Sequence, residues 1–375
     1  MANKATDPKG GENLHDERFS AVLRVLEDAI AQRAFPGCAF GVLAGGEVVL
    51  NGALGQFTYE ADSPAVEPET VWDVASVTKV VATTAMTMLL WQRGELDIDL
   101  PLGDVLPGFV IGRAAGDTAR HVRLRHLLAH SSGLPGYAPL FKTAHSPARL
   151  FRECLELPIE AEPGTRAEYS DPGFILLGKA LEVIAGESLA RGTHREIFAP
   201  LGMAATRYCP APHSRSSIPP TEEDTTWRHR VIQGEVQDEN AAVLHGVSGH
   251  AGLFSNVTDL LRFASAVVGG GGGAVAGAGT ELFSRETVER FAERQAPAGS
   301  SRALGWDTPS ENSTTGRHFS QRSIGHLGFS GCSLWMDLEA HIVVVLLTNR
   351  TWPDRSSRLI REVWPKFHDA IREAL

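Results

Sequence analysis

Ser76 and Lys79 are residues whose types and spacing could do chemistry. Two side chains three positions apart on a helix share one face and lie about one turn from each other. An ammonium beside a serine hydroxyl, at a helix N-terminus that favours negative charge, promotes formation of an alkoxide. The pair therefore predicts a serine nucleophile, although Ser-x-x-Lys alone is a weak pattern that surface helices also match.

The segment that follows Lys79 predicts a buried helix, because it is apolar nearly all round from Val80 to Trp91. A lysine in the first turn of such a helix lies where a core element meets a cleft. With no carboxylate beside it, burial would lower the pKa of Lys79 and let the amine serve as a base.

Tyr169 offers a proton route. It stands before a tight Ser-Asp-Pro-Gly loop, residues 170–173, which leads into a predicted helix from Phe174 to Ala185. Such a loop presents the phenol at its tip. Beside a lysine ammonium the pKa of the phenol would fall, so Tyr169 could take the proton from Ser76.

The segment Gly325-His326-Leu327-Gly328-Phe329 offers an oxyanion hole. It falls on a predicted edge strand, residues 326–331, and its glycines permit a ligand to approach the backbone closely. The amide N–H groups of Phe329 and Ser76 could together stabilise a developing oxyanion.

The rest of the chain predicts the elements that must position these residues. Alternation, turn residues and helical spacing indicate a helix from Phe19 to Arg33, a hairpin over residues 38–54, a helix near residues 285–294, strands over residues 333–338 and 341–348, and a closing helix from Ser356 to Leu375. The run from Ile342 to Leu347 is apolar throughout, so we expect it at the centre of a sheet.

The chain ends thus supply strands and helices, and the middle is helical and loop-rich. We expect an α/β lobe made of residues 13–97 and 255–375, split around a helical lobe of residues 98–254. The site would lie in the cleft between the lobes. Residues 1–12 are predicted to be a disordered tail, and the glycine-rich residues 269–279 a flexible connection.

Composition excludes several classes of function. The net charge is -10 and no Lys/Arg run occurs, so no nucleic acid is expected. No stretch reaches transmembrane length and the N-terminus lacks a signal-peptide core, which together predict a cytoplasmic protein without a membrane span. The four cysteines have no paired spacing and predict free thiols.

Other hydrolytic chemistries find little support. No Gly-x-Ser-x-Gly is present, which excludes a standard α/β-hydrolase. His126 and His130 would share a helix face, but the glutamate of a metalloprotease helix is missing between them; His229, His245 and His250 lack ligand spacing. We expect neither metal nor cofactor. His250 is predicted to line the cleft.

The three motifs, in this order, resemble the serine β-lactamase-like superfamily, which includes class C β-lactamases, low-molecular-weight penicillin-binding proteins and β-lactamase-fold esterases. Residues 126–135 and 249–255 also look like family segments. The resemblance implies a β-lactamase/transpeptidase-like α/β fold, with an antiparallel sheet flanked by helices plus an all-α lobe. It implies Ser76 as acyl-accepting nucleophile, Lys79 and Tyr169 as its proton network, and His326 in the place of the third motif's basic residue.

Two departures from the family pattern bear on activity. Asp171 stands where class C β-lactamases usually have asparagine, and a carboxylate can only accept hydrogen bonds. Asp171 could pair with Lys79 and keep it protonated, which would leave Tyr169 as the base; whether the lysine or the tyrosine is the base stays open. Leu327 replaces a hydroxyl that helps to hold a substrate carboxylate, a loss of about 1–3 kcal/mol.

These departures favour a carboxylesterase-type serine hydrolase, because an ester needs no anchored carboxylate. A D-Ala-D-Ala carboxypeptidase or weak β-lactamase, and a catalytically silent binding protein, are the alternatives. The expected partner is a small ester, amide or peptide substrate, and the oligomeric state is left open. Arg350 and Arg355, just after the central strand, are the cations that could change this preference.

Overall fold

The computed structural model describes residues 16–269, 282–311 and 313–375. The tail predicted for residues 1–12, and the glycine-rich connection beyond residue 269, lie outside the described residues. Its strands are β1 (Gly37–Ala44), β2 (Glu47–Gly55), β3 (Trp72–Asp73), β4 (Arg207–Tyr208), β5 (Pro220–Asp224), β6 (Arg230–Gln233), β7 (Leu253–Ser255), β8 (Ser323–Leu327), β9 (Ser333–Asp337) and β10 (Ile342–Thr348). Its α-helices are α1 (Ser20–Ala31), α2 (Ala85–Gln92), α3 (Leu102–Val105), α4 (Leu124–Leu128), α5 (Pro147–Leu155), α6 (Asp171–Ala185), α7 (Leu189–Thr193), α8 (Glu239–Val243), α9 (Val257–Val268), α10 (Arg285–Ala292) and α11 (Ile360–Ala374).

A five-stranded antiparallel sheet, in the order β2-β1-β10-β9-β8, joins the two ends of the chain. The β1–β2 hairpin turns at Gly45 and Gly46, whose φ values of 60° and 87° suit glycine. Strand β10 lies in the middle of the sheet, which confirms the prediction made from its apolar run. Strand β8, which carries His326, is an edge strand, as predicted.

The side chains of β10 alternate between two cores, because successive residues of a strand point to opposite faces. Val343, Val345 and Leu347 join the larger core, which continues through the middle of the chain. Val344 and Leu346 join a second core beneath α1 and α11. Burial on both faces explains why this strand has no polar position before Thr348.

The structure departs from the predicted elements in four places. Helix α6 begins at Asp171, inside the predicted Ser-Asp-Pro-Gly loop, because Ser170 caps it and proline suits its first turn. Strand β8 covers Ser323–Leu327 rather than residues 326–331, because the chain turns after Leu327: Gly331 N–H bonds to Gly328 O at 2.9 Å, with Gly331 at φ 99°. The middle of the chain contains the short strands β4, β5 and β6, which its helical pattern did not predict. The closing helix begins at Ile360 instead of residue 356.

The small sheet β3-β7-β4 connects the two ends of the chain with its middle. Trp72 pairs with Ser255, and Phe254 pairs with both Asp73 and Arg207. The residues just before Ser76 are thereby held against the end of the predicted helical lobe. The lobe boundaries at residues 97 and 254 stay a prediction. Within the described residues, no helix combines the length and the apolarity needed to cross a bilayer.

Candidate active site

Ser76 and Lys79 lie at the start of a continuous helical segment, residues 75–92, named here the Ser76 helix. It opens with a 3-10 turn, Ala75–Val77, widens to a π-helix over Lys79–Thr84 and continues as α2. Ala75 has a φ of 47°, a strained value for a residue with a side chain. Its N–H donates to Asp73 Oδ1 at 2.8 Å, which holds the strained turn in place.

The Lys79 ammonium is fully buried and has three hydrogen-bond acceptors. Nζ lies 3.0 Å from Ser76 Oγ, 2.7 Å from Asp171 Oδ1 and 3.0 Å from the backbone oxygen of His250. An ammonium has three N–H donors, as many as these three acceptors, and the Tyr169 hydroxyl is a further hydrogen-bonding neighbour. The lysine is therefore fixed in direction, with one N–H aimed at the serine hydroxyl.

The contact with Asp171 decides the protonation of Lys79. Burial acts to lower the pKa of this lysine, but the charge of Asp171 and its hydrogen bond to Nζ oppose burial, and the pKa is raised. The prediction of a lowered lysine pKa was wrong because it assumed that no carboxylate lies nearby. The pairing of Asp171 with Lys79, which the sequence left open, is present in the structure.

Tyr169 is partly buried among cationic and aromatic groups. Its ring centroid lies 4.6 Å from that of His130 and 4.8 Å from Lys79 Nζ. Burial raises the pKa of the phenol, and this exceeds the lowering caused by the charge of Lys79 and by hydrogen bonding to Lys79 and Ser76. The expected fall in the pKa of Tyr169 was therefore wrong. The resting phenol is neutral and carries a proton.

Residues on either side of Tyr169 hold it in place. Ser170 caps α6, because its Oγ accepts from Gly173 N–H at 3.1 Å and donates to Pro135 O at 2.8 Å. The Ser170 N–H donates to His130 Nδ1 at 2.9 Å. Burial lowers the pKa of His130 well below its usual value, so the ring is a neutral acceptor. His130, considered above as a metal ligand, instead orients the tyrosine loop.

The third motif packs against the residues that precede Ser76. A side-chain carbon at Gly328 would lie 2.6 Å from Val74 O, so only glycine fits there without a shift. Ser330 Oγ donates to Asp73 O at 2.8 Å, a second contact with the same segment. His326 is buried, and burial lowers its pKa well below the usual value, which keeps the ring neutral.

Two backbone N–H groups remain for a ligand at this junction. Within the described residues, the Phe329 N–H has no hydrogen-bond acceptor. In the Ser76 helix, Val77 N–H already bonds to Val74 O at 3.0 Å, and Ser76 comes one residue earlier, where helical N–H groups lack partners. That these two donors act together as an oxyanion hole stays a prediction.

A cavity of about 1060 Å³ opens above these groups. Six of the seven site residues predicted from the sequence line it, and Lys79 lies beneath Ser76; the six are Ser76, Tyr169, Asp171, His326, Gly328 and Phe329. Tyr137, Asp238 and Arg302 also line it, and sequence reasoning missed them. They belong to segments distant in the chain, and only the fold brings them to the cavity.

The opposite wall of the cavity carries arginine side chains. Arg355 is neutralised, because it pairs with Glu222 and Glu239. Arg350 has no carboxylate partner in the described part of the chain; its Nε donates to Phe329 O at 2.7 Å. Burial and the nearby cations lower the pKa of Arg350 to about 10, so it stays charged at neutral pH.

Arg358 and Arg361 lie on the same wall and are exposed. Neither forms an ion pair with a described residue. Arg350, Arg358 and Arg361, named here the arginine wall, thus present three positive charges to the cavity. In contrast, residues 16–269, 282–311 and 313–375 contain no group of three or more histidine, cysteine or carboxylate side chains arranged to hold a metal ion.

Comparison with known proteins shows the family of the chain. Residues 22–363 match the model of the Beta-lactamase family. The chain belongs to this family. An N-acetylmuramyl-L-alanine amidase from Bacillus subtilis is 30% identical over 367 residues, which cover 89% of this chain and 81% of that protein. A protein from Escherichia coli K12, named as a candidate D-alanyl-D-alanine carboxypeptidase, is 31% identical over 309 residues, 75% of this chain and 69% of its own.

Among solved structures, a penicillin-binding protein homologue from Caulobacter crescentus superposes with a TM-score of 0.76 at 19% identity, over 99% of this chain and 100% of that one. The family member thus has the β-lactamase/transpeptidase fold, and the resemblance inferred from the three motifs is confirmed.

Proposed function

We propose that this family member is a serine hydrolase that cleaves ester or amide bonds through an acyl-enzyme on Ser76. The observation that carries the proposal is the hydrogen-bonded row from Ser76 Oγ through Lys79 Nζ to Asp171 Oδ1, with steps of 3.0 and 2.7 Å, at the floor of a large cavity. Nucleophile and proton acceptors within hydrogen-bond reach are what acyl transfer requires.

The protonation states of Lys79, Asp171 and Tyr169 suggest a different proton-transfer role for each. Lys79 is an ammonium and cannot accept a proton unless it gives one away, and Asp171 lies within reach to receive it. As Ser76 Oγ attacks the substrate carbonyl carbon, its proton passes to Lys79 while Lys79 passes a proton to Asp171. Tyr169, which is neutral at rest, then donates its proton to the leaving group. The N–H groups of Ser76 and Phe329 stabilise the oxyanion.

Deacylation reverses the route. The tyrosinate left on Tyr169 removes a proton from water, and the resulting hydroxide attacks the acyl carbon. The Ser76 oxygen leaves with a proton from Lys79, which recovers one from Asp171. Every group returns to its starting state, so the cycle balances without a cofactor.

The test uses p-nitrophenyl acetate and butyrate with wild type and Ser76→Ala, and intact-protein mass spectrometry after reaction with a fluorophosphonate. We expect turnover and one covalent adduct with wild type, and neither with Ser76→Ala. Ser265→Ala, which removes a serine from α9, serves as the matched control and should react normally. Equal rates for wild type and Ser76→Ala would favour the catalytically silent alternative.

A second candidate is hydrolysis of acidic amides or peptides, and the arginine wall favours it. The sequence suggested a weak hold on a substrate carboxylate because of Leu327 and neutral His326, but the cavity holds three other cations. The named amidase and carboxypeptidase relatives point to amide substrates.

The two candidates differ in what a carboxylate contributes. With an N-acyl-D-alanyl-D-alanine peptide, we expect kcat/KM to fall at least tenfold when the C-terminal carboxylate is amidated, and the same loss in Arg358→Gln with the free acid. A charged hydrogen bond of about 1.5–3 kcal/mol corresponds to such a factor. Equal kcat/KM for free and amidated peptides would rule out the second candidate and favour the esterase.

A further inference from the structure

A buried histidine and a carboxylate lie directly behind Lys79. The His250 side chain is 1% exposed, and its backbone oxygen accepts from Lys79 Nζ at 3.0 Å. Its ring nitrogen Nε2 lies 2.8 Å from Asp238 Oδ1, and Nδ1 lies 2.8 Å from Ser248 Oγ. One residue therefore contacts the lysine through its backbone and a carboxylate through its ring.

Asp238 is itself fixed. It caps α8, where its Oδ1 accepts from Ala241 N–H at 2.7 Å. Burial acts to raise the pKa of Asp238, but the contacts with His250 and Ala241 lower it to about 2, so the carboxylate is charged at neutral pH. The Asp238 side chain is 23% exposed, at the edge of the cavity, and the ring of His250 is its partner on the protein side.

The segment that contains Asp238 also reaches the other side of the site. Gln237 N–H donates to Asp73 Oδ2 at 2.8 Å, and Asp73 Oδ1 accepts from Ala75 N–H, next to Ser76. Residues 237 and 238 thus connect to the turn that carries Ser76 by one route, and to the acceptor of Lys79 by another. This one segment is therefore connected by hydrogen bonds to both members of the Ser-x-x-Lys pair.

We propose that Asp238 and His250 form a positioning pair, which holds the His250 carbonyl against Lys79 Nζ and thereby keeps another lysine N–H directed at Ser76 Oγ. The inference rests on the proposed function of Ser76 and Lys79. The reason is geometric: the three N–H groups of one ammonium are fixed relative to each other. Displacing one acceptor rotates the whole group, and displaced reacting atoms slow the chemistry strongly.

The loop carrying His250 has few other means of fixing that carbonyl. Thr83 Oγ1 donates to Gly249 O at 2.7 Å, and Tyr208 Oη donates to Ser248 O at 3.2 Å. These contacts hold the residues before His250, and Leu253 N–H, which donates to Thr78 Oγ1 at 3.1 Å, holds the chain after it. The ring supplies the contact of His250 with Asp238, so loss of the ring removes that restraint on the residue while the loop stays attached.

The experiment measures kcat and KM for p-nitrophenyl butyrate, with the melting temperature, in His250→Ala, Asp238→Ala and the double variant. We expect kcat to fall 10- to 100-fold in each single variant, with KM within threefold of wild type. Because both residues act on one carbonyl, the double variant should be no more than threefold slower than the slower single variant. If the kcat losses of the two single variants instead multiplied in the double variant, the proposed pairing would be overturned.

His250→Gln is the rescue variant, because its amide N–H can replace Nε2 as a donor to Asp238. It should recover at least a third of the wild-type kcat, and it also serves if His250→Ala fails to fold. Asp259→Ala is the matched control: Asp259 is a buried carboxylate that braces Ala205 and Thr206 from α9. It should lower the melting temperature and leave kcat unchanged.

The outcomes separate this inference from the proposed function. An inactive Ser76→Ala together with a wild-type kcat in His250→Ala and in His250→Gln would overturn the positioning pair alone. A Ser76→Ala variant as active as wild type would overturn the proposed function. A His250→Gln variant that folds and is as slow as His250→Ala would show that the Asp238 contact is not what matters.

Discussion

Asp171 Oδ1 lies 2.7 Å from Lys79 Nζ, and the lysine side chain of this pair has no surface exposed to solvent. A carboxylate at this distance keeps the lysine positively charged, whereas burial alone would neutralise it. In the proposed mechanism, this contact determines which group can accept a proton from Ser76. The proposed chemistry is therefore sensitive to a single side chain at the start of α6.

Asp171→Asn tests the proton relay. The variant keeps the side-chain shape but removes the negative charge and the group that could take up a proton. The pKa of Lys79 should then fall, because the charge that opposes burial is gone. We expect kcat/KM at pH 7 to drop about 100-fold. It should then rise with pH toward the wild-type value as neutral lysine forms, while wild type shows no such rise. Parallel pH profiles for the two proteins, measured with p-nitrophenyl butyrate from pH 6 to 9, would contradict the relay.

Tyr169→Phe separates chemistry from packing. The ring and its contacts with His130 stay, and only the hydroxyl that would protonate the leaving group is lost. We expect kcat to fall by about 10²- to 10⁴-fold. The free energy of unfolding should change by no more than about 1.5 kcal/mol. Urea titration and steady-state kinetics measure the two quantities; a large loss of stability with little loss of kcat would make the tyrosine structural.

Gly328→Ala tests the oxyanion hole through the backbone. The added carbon would meet Val74 O, a backbone atom, at 2.6 Å, so either the backbone at residues 328 and 329 or the segment before Ser76 must shift. We expect kcat/KM to fall about 10²- to 10³-fold, the usual cost of one lost donor. Gly116→Ala is the control, because nothing lies within 4 Å of its added carbon. Full activity in both variants would place the oxyanion hole elsewhere.

His368 predicts how stability depends on pH. Burial lowers the pKa of this histidine from 6.5 to about 4, so the unfolded chain binds a proton more readily than the native protein does. The neutral His368 therefore contributes to the free energy of unfolding fully above pH 6.5. This contribution, about 3 kcal/mol, is lost as the pH falls toward 4. In urea unfolding between pH 7 and 4.5, His368→Gln should lose less stability than wild type. If the free energy of unfolding depended on pH equally in wild type and His368→Gln, His368 would not titrate in this way.

The motifs with short spacing were predictable from the sequence. Ser76 and Lys79 lie one helical turn apart, and the apolar run behind them indicates burial without knowledge of the fold. Likewise β10 was placed at the sheet centre because its residues are apolar on both faces. Such features depend on neighbours in the chain, and local periodicity reports them directly.

Features that depend on distant segments were not predictable. The pKa of Tyr169 moves opposite to the prediction because its burial arises from packing against residues far along the chain. Asp238 and His250 are twelve positions apart, with no spacing that marks a pair. Strands β4 and β6 have two and four residues, too few for an alternation to be recognised.

Phe329 combines two separable contributions to the proposed site. In the proposed function its N–H binds the oxyanion, a backbone role that any side chain at this position leaves in place, while its ring is 48% exposed at the cavity and lies 4.4 Å from the Arg350 guanidinium. If that function holds, exchanging the ring for another side chain would alter the shape offered to the acyl group and leave the backbone donor present.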